Sequence, residues 1–321
     1  MTAAGARGPD EDGPSVTGAR LLQGSAIAAE MRKRTKADVA SFKRKHGFAP
    51  ALAVVIVGRD APSAVYLHQI VRSCRSVGVP GRVVELTGRA TAAQLRTRIE
   101  ELNADPLVGG IIVQMPLPRT IPLKAVIDSI HPGKDIDGIH PLNAGLLTLG
   151  YQGFHPACAE AAVEILKRSG YGLAGRHAVV IGRSNVVGKP ASLLLLREHC
   201  TVTVCHRKTR DLAAEVAEAD VLVVGAGSPK LVRGDMLKPG ALVVDVGINV
   251  TADGLVGDVD FESARDVAGA LTPVPGGVGP VTNAVLLEHL MRAAKAQLAD
   301  RAQGGVRPTG RLALQPVPVR S

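Results

Sequence analysis

The chain has 321 residues, enough for two domains and a buried core without disulfides or metal. Apolar residues make up 46% and charged residues 21%, an ordinary globular composition, but aromatics are scarce: no Trp, three Tyr and four Phe. That scarcity argues against a base-stacking platform, and the formal charge of +9 is scattered without a dense Lys/Arg run, so no nucleic-acid partner is expected.

Residues 1–20 and 300–321 are rich in Gly, Pro, Ala and Arg without apolar periodicity and read as flexible tails. Residues 21–47 read as a helix, and the β-branched run ALAVVIVG (51–58) as a buried strand. Residues 63–78 read as a second helix, opened by Ser63 behind Pro62 and closed by Gly78. A strand at GRVVEL, a helix at TAAQLRTRIEELNADP and a strand at GGIIVQM complete a βαβαβ pattern, which favours a parallel sheet with right-handed crossovers. The stretch 131–157 is loop-rich. A second unit follows, with a helix near 159–169 and strands HAVVIG (177–182), TVTVC (201–205), VLVVGAG (221–227) and ALVVDVG (241–247). A helix is expected between each pair of strands, and residues 280–300 read as a last helix returning to the first unit.

The expected fold class is α/β with two lobes and a cleft between them. An N-terminal parallel α/β domain takes residues 21–150 plus 280–299, and a Rossmann-like dinucleotide-binding domain takes 151–279. Four cysteines without metal-ligand spacing suit a reducing compartment. No apolar h-region opens the chain and no apolar run nears the ~20 residues that cross a bilayer, so no membrane is expected and the expected location is cytoplasmic.

HAVVIGRSNVVGKPASLLLL reads as a strand, a glycine turn and a helix. Gly182 and Gly188 would allow a tight turn and close approach of a phosphate to a helix starting near Val187. Ser184 stands where the middle glycine of G-x-G-x-x-G would be. The next strand ends Cys205-His206-Arg207-Lys208-Thr209, with two cations where an NAD site places an acid. With Arg183 in the turn, this favours the 2′-phosphate of NADP, because guanidinium pairs bidentately with phosphate.

The first unit carries Tyr66 on the helix after its first strand, Gln114 at the end of IIVQ, Asp135 and Asp137 in GKDIDG, and a rigid loop, TPVPGGVGPVT (272–282). The strings VQMPLP, HPGKDIDGIHPLNAGLL, VVIGRSNVVGKP, TVTVCHRKT, VVDVGIN and TPVPGGVGPVT together resemble the bifunctional methylenetetrahydrofolate dehydrogenase/methenyltetrahydrofolate cyclohydrolase family, over about residues 21–298. The resemblance implies an enzyme of one-carbon metabolism that transfers hydride from methylenetetrahydrofolate to NADP+, then hydrolyses the methenyl product in the same cleft. It implies a catalytic set of Tyr66, Gln114 and Asp137, with Tyr66 stacking on the folate and Asp137 accepting the pterin N–H groups. Val113, Met115 and the loop Pro275, Gly276, Gly277, Val278 and Gly279 would complete the folate site. Gly182, Arg183, Ser184, Gly188, Arg207 and Ile248 would contact NADP. It also implies a homodimer and no metal.

Two departures stand out. The family places a Lys four residues after the Tyr, where both side chains would face the cleft, and that Lys is its main cyclohydrolase residue. Here the position is Ile70, which can neither carry a proton nor donate a hydrogen bond. His68 points elsewhere on the helix, and the guanidinium of Arg72 does not deprotonate near neutrality. Cyclohydrolase activity is therefore expected to be weak or absent. At the lobe junction, Pro156-Ala157-Cys158-Ala159-Glu160-Ala161 replaces the family's P-C-T-P-x-G, losing a Thr cap and a Pro that would stiffen the hinge. The other readings are a fully bifunctional enzyme, a non-catalytic relative that binds folate or NADP, and a dehydrogenase retargeted to another pterin-like substrate.

Overall fold

A computed structural model describes residues 18–58, 61–252 and 254–302. The chain enters through β1 (Arg20–Leu21) and α1 (Gly24–His46), then runs through β2 (Ala51–Val57), α2 (Ala61–Val77), β3 (Gly81–Leu86), α3 (Ala92–Ala104) and β4 (Val108–Val113). The three strands after β1 form a parallel sheet in the order β3-β2-β4, and all seven residues of β2 are buried. A strand covered on both faces needs apolar side chains on both, which is why β2 reads as an unbroken β-branched run. Thr91 and Gln94 open α3 with a reciprocal capping box. Its other end is closed from a distance: the Lys134 ammonium donates to the carbonyls of Leu102, Asn103 and Asp105 at 2.8–3.0 Å.

A short helix, α4 (Leu123–Ile127), precedes the stretch expected as loop, and that stretch itself contains another, α5 (Pro141–Thr148). Neither is long enough to show a 3.6-residue apolar period. Local chemistry starts α5 instead, with proline at its first position and the His140 ring accepting from Leu142 N at 3.0 Å.

The second lobe follows as α6 (Ala157–Lys167), β5 (His177–Ile181), α7 (Gly188–Arg197), β6 (Thr201–Cys205), α8 (Leu212–Ala217), β7 (Val221–Val224) and β8 (Leu242–Asp245). The hairpin β9 (Asn249–Thr251) and β10 (Gly254–Val256), the single turn α9 (Phe261–Ala264), β11 (Ala270–Leu271) and α10 (Val278–Ala302) close the fold. The main sheet is parallel, in the order β1-β11-β8-β7-β5-β6. Two features differ from expectation. Between β7 and β8 there is only the 3-10 turn Gly234–Met236. The end of the expected tail is a strand on the second lobe: Arg20 N donates to Gly269 O at 3.0 Å and Leu22 N to Leu271 O at 2.9 Å. Two-residue strands carry no alternation to read, so β1 and β11 left no mark in the sequence.

The last helix does return to the first lobe, packing on α1 and β4 as well as on α6. Gln297 donates to Gly109 O at 2.8 Å and Lys295 pairs with Asp38 at 2.9 Å. One apolar cluster runs from Met31 and Phe42 through Ile70 and Val281 to Leu195 and Val223, so the lobes share a core.

Candidate functional site

The C-terminal ends of β5 and β7 meet the start of α7 in a backbone-only cradle. Gly182 has φ +120°, and a Cβ there would strike the Gly225 carbonyl; a Cβ on Gly188 would strike the Gly182 carbonyl. Chains this close let a phosphate approach the backbone of the turn. Ser184 fixes the turn, its hydroxyl accepting from Val187 N at 3.1 Å and its carbonyl from Lys189 N at 3.1 Å. Register places Ile181 opposite Cys205, so the exposed side chains of Arg183 and Arg207 follow the ends of neighbouring strands. The Arg207 loop is tied by Thr209 N to His206 O at 2.7 Å and by Lys208 N to the His206 ring at 3.1 Å. These residues fit a dinucleotide phosphate.

The third side of the cradle depends on a residue the sequence did not single out. The buried Asp258 carboxylate accepts from Ala226 N, Gly227 N and Ser228 N at 2.6, 2.8 and 2.9 Å, and from Asn249 Nδ2 at 2.8 Å. Asp245, also buried, accepts from Gly247, Asp258 and Val259 N–H groups at 2.8–3.1 Å. Burial pushes its carboxyl up to about 6 against those three amides.

Between the lobes lies a cavity of about 380 Å³. The loop from Pro275 to Gly279 and Ile248, 65% exposed, line it from one side. Gln69, Arg72, Cys158 and Asn283 line it from the other. Burial, reinforced by the charge of Asp137, pushes the Cys158 thiol up to about 12. Asn283 is 6% exposed, and its Oδ1 has no hydrogen-bond partner. A buried acceptor without a partner costs roughly 1–3 kcal/mol and marks a place where a ligand donor fits. In the sequence Asn283 passes for one more residue of a long helix.

The residues expected on the folate side divide. Val113 ends β4 in the core, Gln114 N donates to Val55 O at 2.8 Å, and Met115 is 36% exposed before a cis peptide to Pro116. The Gln114 amide donates to the Met115 carbonyl at 3.1 Å while its Oε1 is buried without a partner. Gln114 and Asp137 do not line the cavity; Asp137 reaches its edge through its neighbour Cys158. Desolvation, with Asp135 beside it, pushes the Asp137 carboxyl up to about 7, and His289 opposes that rise. Asp135 itself is fully buried and structural, accepting from Ile139 N, His140 N and Asn143 Nδ2 at 2.8–3.1 Å. Tyr66 is on α2, with its side chain outside the described residues. Ile70 does not face the cleft as its spacing suggested: it is 2% exposed in the shared core, while α2 presents Gln69, Arg72 and Ser73 to the cavity. An alkyl side chain one position off that polar stripe gains most by turning inward.

The junction helix α6 starts at Ala157 behind Pro156, which gives no side-chain cap, and Cys158, at the family's Thr position, lies inside its first turn. The hinge is nonetheless held. Ala157, Ala159, Ala161 and Ala162 are buried, and Glu160 sits in the first turn, where a carboxylate complements the helix dipole. Gly138, φ +69°, packs so closely on His155 that a Cβ there would strike its carbonyl.

Residues 22–137 match the family model for the tetrahydrofolate dehydrogenase/cyclohydrolase catalytic domain, and residues 156–298 match the NAD(P)-binding domain of the same family. The chain belongs to the tetrahydrofolate dehydrogenase/cyclohydrolase family. It is 47% identical over 282 residues to a bifunctional protein FolD of Roseiflexus, covering 88% of this chain and 98% of that one. Among solved structures, the bifunctional FolD of Campylobacter jejuni superposes with a TM-score of 0.83 at 42% identity, covering 86% of this chain and 98% of that one. FolD of Trypanosoma brucei, solved with NADP and an inhibitor, gives 0.85 at 36% identity, covering 88% and 99%. Among the described residues, no helix of this family member is long and apolar enough to cross a membrane.

Proposed function

We propose that this chain oxidises 5,10-methylenetetrahydrofolate to 5,10-methenyltetrahydrofolate with NADP+, and that it hydrolyses the methenyl product weakly or not at all. The observation that carries the first half is the joining, at one interlobe cavity, of the Pro275–Gly279 loop with the end of β8, whose Val246 packs beside Gly225 of the glycine cradle. NADP+, when bound, supplies the hydride acceptor. The cradle amides with Arg183 and Arg207 would hold its phosphates, the missing acid after β6 selecting the 2′-phosphate form. Asp137 would accept pterin N–H groups, Tyr66 would stack on the folate, and the shared core would keep the lobes at hydride-transfer distance.

For the second half, what counts is which cavity-lining groups could move a proton near neutrality. Ile70 is core hydrocarbon, Arg72 stays charged, and the Cys158 thiol stays protonated with its pKa at about 12. Both oxygens of Asp245 are committed to backbone amides. A fully bifunctional enzyme is the second reading, favoured by the names of its relatives. We also place the protein in the cytoplasm as a homodimer, in keeping with its four unpaired cysteines and the family resemblance.

The test mixes purified protein with methylenetetrahydrofolate and NADP+ and follows NADPH and methenyltetrahydrofolate by absorbance. NADPH with accumulating methenyl product supports the proposal; NADPH without accumulation restores the bifunctional reading; no NADPH sinks both. In Ile70→Lys, hydrolysis that stays absent shows that position 70 is not the sole lesion.

A further inference from the structure

At the lobe junction a chain of charged groups leads to Asp137. His289, on α10, is 1% exposed. Its Nδ1 lies 2.8 Å from the Ile136 carbonyl and its Nε2 lies 3.2 Å from Glu160 Oε2. Both partners only accept, and a ring that donates from both nitrogens is an imidazolium. The same Glu160 oxygen lies 2.9 Å from His155 Nδ1, and Arg197 Nη1 lies 3.4 Å from His155 Nε2, so His155 bridges Glu160 and Arg197. Burial would raise the Glu160 carboxyl, but the two histidines outweigh it and hold it well below the usual carboxylate range. Ile136 adjoins Asp137, so His289 grips the backbone of that turn while its charge faces the Asp137 carboxylate.

We propose that the Glu160–His289 pair is a positioning unit for Asp137: it fixes the turn and keeps the carboxylate in the form that accepts pterin N–H groups. This rests on Asp137 being the pterin acceptor, as proposed above. The charged and titratable groups that face the ring are few. Asp135 and Asp137 come from the turn after β4, Glu160 from α6, and His155, backed by Arg197 of α7, from the segment before it. Glu288 neighbours the ring on α10 itself, and Arg292 stands beyond Phe154, whose ring is 5.4 Å from His289. Among the described residues, only Glu160 bonds the imidazole side chain to side chain, so it sets the charge that Asp137 meets.

The experiment measures tetrahydrofolate affinity by calorimetry from about pH 5.5 to 9 for the full chain, H289N, E160Q and the double variant. H289N keeps an N–H for the Ile136 carbonyl and removes the charge. Its binding midpoint should move up by about half to one pH unit, so that affinity at the acid end falls roughly three- to tenfold. NADP+ affinity and alkaline tetrahydrofolate affinity should stay unchanged. E160Q should move the midpoint the same way, because the ring without its counter-ion gives up its proton, and the double variant should go no further. A direct field from Glu160 on Asp137 would instead move E160Q downward, which overturns the proposal. Weakening by the same factor at every pH, with the midpoint unmoved, reports a merely structural role and also overturns it. If H289N does not fold, the direction of the E160Q shift decides. Wild-type protein that binds no tetrahydrofolate at any pH removes the functional reading as well; wild-type binding with unmoved variant midpoints removes this inference alone.

Discussion

Replacing Asp258 should unfasten the cofactor side of the cleft. Its carboxylate, fully buried, accepts three consecutive backbone N–H groups at 2.6–2.9 Å and one from Asn249 at 2.8 Å. Hydrogen bonds to a charged group contribute roughly 1.5–3 kcal/mol each, and a buried donor left without a partner costs about 1–3 kcal/mol. These contributions share one anchor and do not add, so Asp258→Ala should destabilise by about 4 kcal/mol, near the upper end for single substitutions. Asp258→Asn keeps an oxygen for Ala226 and Gly227 but aims an NH2 at the Ser228 N–H and the Asn249 amide; a loss of about 2–3 kcal/mol is expected. Because Gly225 opens the same loop and its carbonyl packs on Gly182, NADP+ affinity should fall along with stability. Urea unfolding followed by circular dichroism gives the first quantity and calorimetry the second. An Asn variant within about 0.5 kcal/mol of wild type, with unchanged NADP+ affinity, would refute the claim that this carboxylate holds the loop.

Arg207→Ala should raise the KM for NADP+ about tenfold or more while leaving that for NAD+ nearly unchanged, because only the phosphorylated ribose meets the guanidinium. Steady-state kinetics with both cofactors decide it. Asn283→Leu should raise the melting temperature by removing a buried acceptor without a partner, and should weaken tetrahydrofolate binding; thermal melts with and without tetrahydrofolate read both, and a lowered melt without ligand contradicts the assignment. The Asp137 carboxyl sits at about 7 in the fold, above its unfolded value, so the native state holds more protons between about pH 4 and 7. Its share of stability is therefore lost as pH rises through that window. Asp137→Asn should flatten this slope in urea unfolding series at several pH values, and an unchanged slope would mean the carboxyl is not so raised.

What the sequence disclosed and what it hid follow from range. The strands β2, β5, β7 and β8 carry apolar runs because a parallel sheet buries both faces of its inner strands, and that signal is local. The glycine turn and the Arg207 loop are local too. Asp258 acts on amides about 30 residues away and His289 meets Glu160 across 129 positions, so each reads in the chain as an unremarked polar residue. Ile70 was visible as a departure, yet not where its side chain goes. Helical spacing gives the angle between two residues on one helix, whereas facing the cleft or the core is set by how α1 and α10 pack against that helix.

Hydride transfer and hydrolysis ask different things of one cleft. The first needs a donor and an acceptor held at a fixed distance, which rigid backbone can supply; the second needs a side chain that gives and takes a proton. Here the rigid parts are heavily tied, through Asp258 and Asp245 on one lobe and the His155–Glu160–His289 chain at the junction, where the family pattern has Thr and Pro. Ile70, which the proposed function places at the proton carrier's position, lies in the core. Burying an isoleucine contributes about 1.5–3 kcal/mol, so Ile70 stabilises the packing of α2 against the shared core. A lysine there would have to give up that packing and reach sideways toward the polar stripe of Gln69, Arg72 and Ser73. Its ammonium would arrive beside Arg72, a neighbour that disfavours a second positive charge. On the function proposed above, loss of the proton carrier and gain of core packing are one substitution, and Ile70→Lys should restore hydrolysis only by giving up stability.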